Sequence, residues 1–559
     1  MVYFLFAFRG FGVLLYDLPS SLFQTKRKTM DRNRSGMSIS NLILPAILLI
    51  PLWGMMSGDA AGQWTEKAKL LPNNGGDGFL FGFGVAVDSQ GSSLVGAPWN
   101  HGAGYQQGSI FAFHESGGNW IQSQQLLSIP SSDLDWFGWS IDISESGEWA
   151  VVGAPQGDFS PLPGSAYVYR MINGSWTLHQ KLSRSTGYGG DKFGFSVSIS
   201  GDTIVVGSHS AENGSGDITG AAYVYQYEGN DWIEKQKLIA FNVSAGDQFG
   251  YSVSISGDAI LIGAPYKDTM AGTSYVFRFQ GQDWQEEQEL LGTGVMLHDQ
   301  FGQSVSLSGE WAAVGSMYDS DIFQSSGSVY LFRYENYSWY QETEIHLSDA
   351  AVGDTFGHAV AISGNTLLAG AYQSDALGNS SGAAYAYYFN GLNWGREQKL
   401  LPSDGAEGDN FGVRLALSGN MALIGAAWDD DQGLNSGSAY IFDLTPPPLS
   451  LQISPSPLLQ NQPAQFQVSN GSPLESTWLV YSTTGGNCTF SVPQLHVVLD
   501  LCPPGQQGGY TNPIASGLTD SNGDITWTLT MPAVASPHQV WFQAIQDRKV
   551  SPVVQTLIQ

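Results

Sequence analysis

The dipeptide Phe-Gly recurs at Phe81, Phe137, Phe193, Phe249, Phe301, Phe356 and Phe411, in steps of 56, 56, 56, 52, 55 and 55 residues. A period of that size, returning seven times, restricts the chain to folds in which one supersecondary unit packs against copies of itself. Each Phe-Gly opens an alternating stretch such as FGFSVSIS (193–200) or FGYSVSIS (249–256), the two-residue period of a strand. Gly201-Asp202, Gly257-Asp258, Gly309-Glu310, Gly364-Asn365 and Gly419-Asn420 follow, pairs that tolerate the positive φ of a tight hairpin. The next run, such as TIVVG (203–207), therefore pairs back antiparallel. A third strand carries Gly-x-x-Tyr/Phe, as at Gly108–Phe111 and Gly437–Tyr440. A fourth begins at Trp and carries Leu or Ile six residues on. Four antiparallel strands in each of seven units predict a seven-bladed β-propeller.

The tryptophans predict how the ring closes. They stand at Trp64, Trp120, Trp176, Trp232, Trp284, Trp339 and Trp394, followed by Leu70, Leu126, Leu182, Leu238, Leu290, Ile345 and Leu400. Trp64 precedes the first Phe-Gly, and no Trp strand follows Tyr440 before the prolines at 446–448. The last blade thus lacks an outer strand of its own, and the orphan at 63–71 can supply it, leaving no open blade at the seam.

These residues resemble the FG-GAP repeat family, the propeller type of integrin α-subunit heads and of many secreted bacterial proteins. Gly96-Ala97-Pro98, Gly153-Ala154-Pro155 and Gly263-Ala264-Pro265 match its Gly-Ala-Pro signature, with weaker copies at Gly207-Ser208, Gly315-Ser316, Gly370-Ala371 and Gly425-Ala426. The resemblance covers roughly 62–444 and implies an all-β propeller. It says less about activity, because this fold hosts many. Members of the family that bind calcium do so in an Asp-rich loop between the Phe-Gly strand and the Gly-Ala-Pro strand. Here Ser200-Gly201-Asp202-Thr203 and its counterparts are too short and offer one carboxylate each, so calcium is not expected at that place.

The ends of the chain read differently. Lys26, Arg27, Lys28, Arg32 and Arg34 precede an apolar run from Ile39 to Met56, with Gly58, Ala60 and Ala61 beyond it. That is the order of a secretory signal over residues 1–61, with Met30 or Met37 as better starts and 1–29 as a gene-start artefact. An uncleaved membrane anchor is the competing reading. Residues 445–448 (TPPP) form a stiff linker. From 449 to 559, LSLQI, AQFQV, TWLVY, LHVVL, ITWTL and QVWFQAI read as strands of a small immunoglobulin-like β-sandwich. Cys488 and Cys502 are the two cysteines, placed for a disulfide across one loop or for two reduced, buried thiols.

Lys plus Arg number 22 against 50 Asp plus Glu, a formal net charge of −28 that repels nucleic acid and anionic lipid. The longer loops, from the second to the third strand and from the fourth to the next Phe-Gly, should share one face, where binding usually lives. They are rich in acids. Asp429, Asp430 and Asp431, together with Asp319 and Asp321, are candidate ligands for a divalent ion, against the reading that they are solvated loop charge. Asp135, Asp191, Asp247, Asp299, Asp354 and Asp409, each two residues before Phe-Gly, are expected to cap a turn through its backbone.

Catalytic signals are thin. Gly378-Asn379-Ser380-Ser381-Gly382 has the hydrolase spacing but lies between two strands, where no nucleophile elbow forms. The histidines share no blade position. Beyond residue 61, seven Asn-x-Ser/Thr sequons, Asn173 and Asn213 among them, bear on function only if the source glycosylates asparagine. The chain therefore reads as a secreted or cell-surface, non-catalytic binding or adhesion protein, monomeric, with no certain cofactor and an extracellular protein or glycan as partner. A hydrolase or lyase site at the propeller axis, and a structural surface-layer component, are the alternatives. Paired acids with a histidine near the axis would favour the enzyme, and a broad aromatic patch on the long-loop face would favour binding.

Overall fold

Each Phe-Gly opens the innermost strand of a four-stranded antiparallel sheet, and seven such sheets form a ring. This computed structural model describes residues 64–445, apart from the loop stretches 102–104, 129–133, 157–162, 183, 186, 188 and 390–392, together with strand backbones between Ser450 and Ile558. The segment 1–63, the prolines at 446–448, Cys488 and Cys502 lie outside the described residues.

Blade three, counting from Phe81, shows the pattern: Ser196–Ser200, Thr203–Ser208, Ala221–Glu228 and Asp231–Leu238 pair in chain order. Its second strand is apolar at consecutive positions because a blade is covered on both faces. Ile204 and Val206 pack with Trp149 and Val168 of blade two, while Val205 packs with Val253 and Ile260 of blade four. The outer strand alternates between exposed and covered residues, Trp232 and Leu238 being the buried ends of the run. The Trp…Leu signature is thus the apolar face of an edge strand.

The repeat's glycines mark where blades touch. The first Gly of each Gly-Ala-Pro or its variant lies under the carbonyl of the Phe-Gly glycine of the next blade. A Cβ on Gly96 would collide with the Gly138 carbonyl, one on Gly315 with that of Gly357, and one on Gly425 with that of Gly82. Parallel bridges join Gly108 to Phe137, Gly220 to Phe249 and Gly327 to Phe356, and the same bridge joins Gly437 of blade seven to Phe81 of blade one.

The seam carries the predicted strand. Thr65–Leu70 pairs antiparallel with Ser438–Asp443, so blade seven is built from Arg414–Ser418, Met421–Ala426, Ser438–Asp443 and the chain's first described strand. Trp64 is buried there among Leu400, Phe411 and Phe442. Its backbone is held by the preceding blade: the Trp64 N–H donates to Gln398 Oε1 at 2.9 Å, and Gln398 Nε2 donates to the Trp64 carbonyl at 2.9 Å. Gln124 grips Trp176 in the same two-point manner, as do Gln180 with Trp232, Gln236 with Trp284 and Gln288 with Trp339. The seam is therefore held like an internal joint.

Around the hub, side-chain oxygens of one inner strand accept backbone N–H groups of the next. Asp142 takes Ile199, Ser198 takes Ile255, Ser254 takes Leu307 and Ser306 takes Ile362, at 2.8–3.2 Å. The serines of SVSIS thus satisfy donors on strand edges that have no ladder partner.

In the C-terminal region Pro463–Ser469 pairs with Ser450–Ser454 and Ile525–Thr530. Ser476–Ser482 lies between Asn512–Leu518 and His538–Gln546, and the latter also pairs with Val554–Ile558. This region is antiparallel β structure in each of these pairs.

Candidate functional site

The two-residue hairpins, Gly201-Asp202 and the turn between Glu228 and Asp231 in blade three, lie on one face of the ring. The long connections lie on the other. At the centre of the long-loop face, where inner strands begin and second strands end, is a cavity of about 420 Å³. Its wall follows from the repeat: the residue after each Phe-Gly starts an inner strand and is thrown toward the axis. Around the ring these residues are Phe83, Trp139, Phe195, Tyr251, Gln303, His358 and Val413.

They divide the mouth into two arcs. Blades one to four supply aromatics in series, with ring centroids 4.5 Å apart for Phe83–Trp139, 5.5 Å for Trp139–Phe195 and 4.9 Å for Phe195–Tyr251. Trp428 extends the series beyond Phe83, and Trp136 stacks on Trp139 at 5.1 Å. Trp139, Phe195, Tyr251 and Trp428 are half-buried, leaving part of each ring open to the mouth. Blades five to seven supply Gln303, His358 and Arg414. Arg414 Nη1 donates to the Val413 carbonyl at 3.0 Å and lies 3.1 Å from His358 Nε2, while its guanidinium sits 4.4 Å from the centroid of Phe83. Burial and the neighbouring Arg414 charge push the His358 imidazole down to about 3, so it stays neutral and its Nε2 can accept from the guanidinium. Among the described residues no Asp or Glu lines the cavity.

Open π faces beside one fixed cation suit stacking and anion contacts.

The acids singled out by sequence lie farther out. Asp429, 3% exposed, and Asp431 sit around the ammonium of Lys69, which comes from the closing strand; Nζ is 2.9 Å from Asp429 Oδ2, 2.5 Å from Asp431 Oδ2 and 2.8 Å from Asp404 Oδ2. Burial opposes charge on Lys69, but the hydrogen bonds to Asp404, Asp431, Tyr440 and Asp429 outweigh it and hold its pKa well above the ordinary value. At two of the acids singled out as candidate ligands for a divalent ion, Asp429 and Asp431, the neighbouring cation is the Lys69 ammonium. Asp430 stands apart, accepting the Asn435 N–H. Asp319, 1% exposed, accepts from the Asp321 N–H at 2.9 Å and the Tyr330 hydroxyl at 2.9 Å. Asp321, Glu344 and His346 lie together beside it, with one ligand atom from each within 4.8 Å of the others.

The aspartates before Phe-Gly divide by blade. Asp247, Asp299, Asp354 and Asp409 accept the backbone N–H three residues earlier, at 2.5–2.7 Å, and so cap a turn. Asp191 pairs with Arg184 at 2.7 Å, and Asp135 accepts from Ser128 Oγ and Gln156 Nε2. Asp299 is pushed up to about 6, by burial and then by Asp319, Asp321 and Glu344. Ser380 lies in the loop between Thr366–Ala371 and Ala383–Phe389, with no helix behind it.

Sequence reading missed the axial wall and Lys69. The signal for the wall was present: one position after each Phe-Gly is Phe, Trp, Phe, Tyr, Gln, His, Val, a variable site inside an otherwise regular repeat.

A closed ring of seven such blades, with a mouth built from variable positions, defines a seven-bladed β-propeller. The chain belongs to the FG-GAP repeat family, which matches at residues 64–113, 120–169, 176–225, 232–277, 284–332, 339–387 and 394–442. Human integrin alpha-E is 27% identical over 222 residues, covering 35% of this chain and 18% of the integrin, so the match spans under a fifth of that relative. Among solved structures, Pyrococcus horikoshii acylaminoacyl peptidase aligns at 9% identity and TM-score 0.37, covering 73% of this chain and 59% of its own. Sqt1 from Chaetomium thermophilum aligns at 11% identity and TM-score 0.39, over 89% and 100%. Alignments that loose say nothing of chemistry. Among the described residues no helix is long and apolar enough to cross a membrane.

Proposed function

We propose that this is a secreted or cell-surface binding protein of the adhesion type, non-catalytic, which grips an extracellular protein or glycan at the axial mouth of its long-loop face. One observation carries the reading: an arc of open aromatic rings faces Arg414 across a cavity that no carboxylate lines among the described residues. Aromatic and arginine side chains at the centre of a concave surface are the residues that dominate binding energy elsewhere. Membership of the FG-GAP family and the partial match to an integrin α-subunit support the extracellular setting.

The test is a screen of the protein against glycans and matrix proteins, repeated with Trp139→Ala and Arg414→Gln. Each variant should weaken a true ligand about tenfold or more, the equivalent of about 1.4 kcal/mol. Tyr337→Ala, an exposed residue (90%) in a tight hairpin of the opposite face, should bind as the parent does. Ligands that ignore both mouth variants and respond to Tyr337 would place recognition on the wrong face and end this proposal.

A further inference from the structure

In blades four, five and seven two positions meet beside the tyrosine of the third strand: the residue four after the second-strand glycine, and the residue five after the outer-strand Trp. Lys69 pairs with Tyr440, Glu289 with Tyr275 and Glu344 with Tyr330 in the ladder, so the comparison is in register. In blade seven the two positions are Asp429 and Lys69, 2.9 Å apart. In blade four the charges are exchanged: Lys267 takes the first and Glu289 the second, 3.0 Å apart. Blade six has Ser374 and Lys399. Blades one to three have no acid at either position. Blade five alone has an acid at both, Asp319 and Glu344, and no lysine to neutralise them.

A second departure falls at the same spot. His346 stands seven residues after its Trp, where the other blades carry Leu71, Leu127, Ser183, Ile239, Leu291 and Leu401. Its ring is oriented, since Nδ1 lies 2.9 Å from Ser328 Oγ, and Nε2 is then directed to Glu344 Oε1 at 3.4 Å. An imidazole whose other nitrogen is fixed by a hydrogen bond is the usual form of a metal-binding histidine. Glu344 Oε1 is buried and accepts no hydrogen bond. With Asp321 these groups place one nitrogen and two carboxylate oxygens within 4.8 Å of one another, so that a small inward rotation of the exposed Asp321 side chain is what bringing all three to about 2.0–2.2 Å from a single ion requires.

We propose that blade five holds a divalent transition-type cation, Zn²⁺ or a metal of similar preference, through Asp321, Glu344 and His346. It takes the role that the Lys69 ammonium fills in blade seven. The mixed imidazole–carboxylate set favours such a metal over calcium, which takes oxygen ligands. Asp319, already accepting from Tyr330 and from the Asp321 backbone, positions the loop rather than ligating. The site is on the loop rim, apart from the axial mouth, and the proposal stands whether or not that mouth binds a ligand.

Calorimetric titration of the chelator-treated full chain with ZnCl₂, alongside thermal melts with and without Zn²⁺, tests this. The parent should bind one equivalent and melt higher with the metal, because a ligand that prefers the folded state stabilises it. His346→Leu restores the side chain common in the other blades and should weaken binding at least tenfold while keeping the fold. Glu344→Lys reinstates the blade-seven arrangement; it should abolish the Zn²⁺ response and melt no lower than the metal-free parent. No Zn²⁺ bound by the parent, or equal binding by the parent and both variants, overturns the assignment. CaCl₂ in place of ZnCl₂ should give no comparable shift, and a larger one would overturn the choice of metal.

Discussion

Gly425→Ala should destabilise the propeller by about 3 kcal/mol or more, the upper end of what forcing atoms into a packed site does. A Cβ at this position meets the carbonyl oxygen and carbon of Gly82, both backbone atoms of the adjoining blade, so no side-chain rotation can relieve the clash. The contact is also the one at which blade seven meets blade one, so the strain falls on the closure of the ring. Gly419→Ala is the matched control. That glycine has φ +58° in a hairpin turn with open space where a Cβ would go, and its replacement should cost about 1–2 kcal/mol through backbone conformation alone. Denaturant unfolding of both variants makes the comparison. Equal losses would mean that the blades separate easily here and that the close approach has no energetic weight.

Removing the seam lysine should have an effect of similar size by a different route. Lys69→Met leaves Asp429 buried with Asp404 and Asp431 nearby and no counter-charge. Stripping one partner from a buried ion pair typically costs about 3–5 kcal/mol; since Asp404 and Asp431 are half-exposed and screened, about 3 kcal/mol is expected. The loss should depend on pH in a definite direction. In the parent, burial works against Asp404, but the hydrogen bond and charge of Lys69 outweigh it and hold its carboxyl below the usual range. A depressed carboxyl contributes stability that is present above its unfolded pKa of about 3.9 and is lost as pH falls through the folded value. The gap between parent and variant should therefore be widest above about pH 5 and narrow steadily as pH falls below about 3.9. Asp429→Asn added to Lys69→Met should recover part of the loss at neutral pH. A gap that stays constant from pH 7 to pH 3 would rule out electrostatics as its cause.

Both expectations concern the seam, and the sequence foretold the seam because closure leaves an offset: seven Phe-Gly strands and seven outer-strand Trp, with the first Trp ahead of the first Phe-Gly. The same regularity hid the site. Arg414 follows Phe411-Gly412-Val413, at a position where the other blades have Gly84, Ser140, Ser196, Ser252, Ser304 and Ala359. Only a register built blade by blade exposes that substitution as the one cation lining the axial mouth among the described residues. Asp429–Asp431 read either as candidate metal ligands or as solvated loop charge, and Asp429 in fact lies beside Lys69, 360 residues away in the chain. That partnership exists only once Thr65–Leu70 is laid against Ser438–Asp443, so no local pattern could announce it. Glu344 and His346 were likewise invisible beside Asp319 and Asp321 until the outer strand brought them together. In the C-terminal region the runs with clear alternation, such as Ser476–Ser482 and Ile525–Thr530, were legible as strands. Asn512–Leu518, with Pro513 and Gly517 inside it, was not, because its composition imitates a turn.

Closure by the first strand also sets an order of events on the ribosome. Thr65–Leu70 emerges early, yet its partner Ser438–Asp443 is among the last propeller strands to be made. At about 5–20 residues per second, the early strand waits on the order of tens of seconds without its sheet. Throughout that wait Trp64 and Leu70 are uncovered, and the growing arc presents raw edges at both limits. The half-built propeller is thus the form most exposed to aggregation, and the final docking turns an open chain of blades into a ring with no free end to unravel.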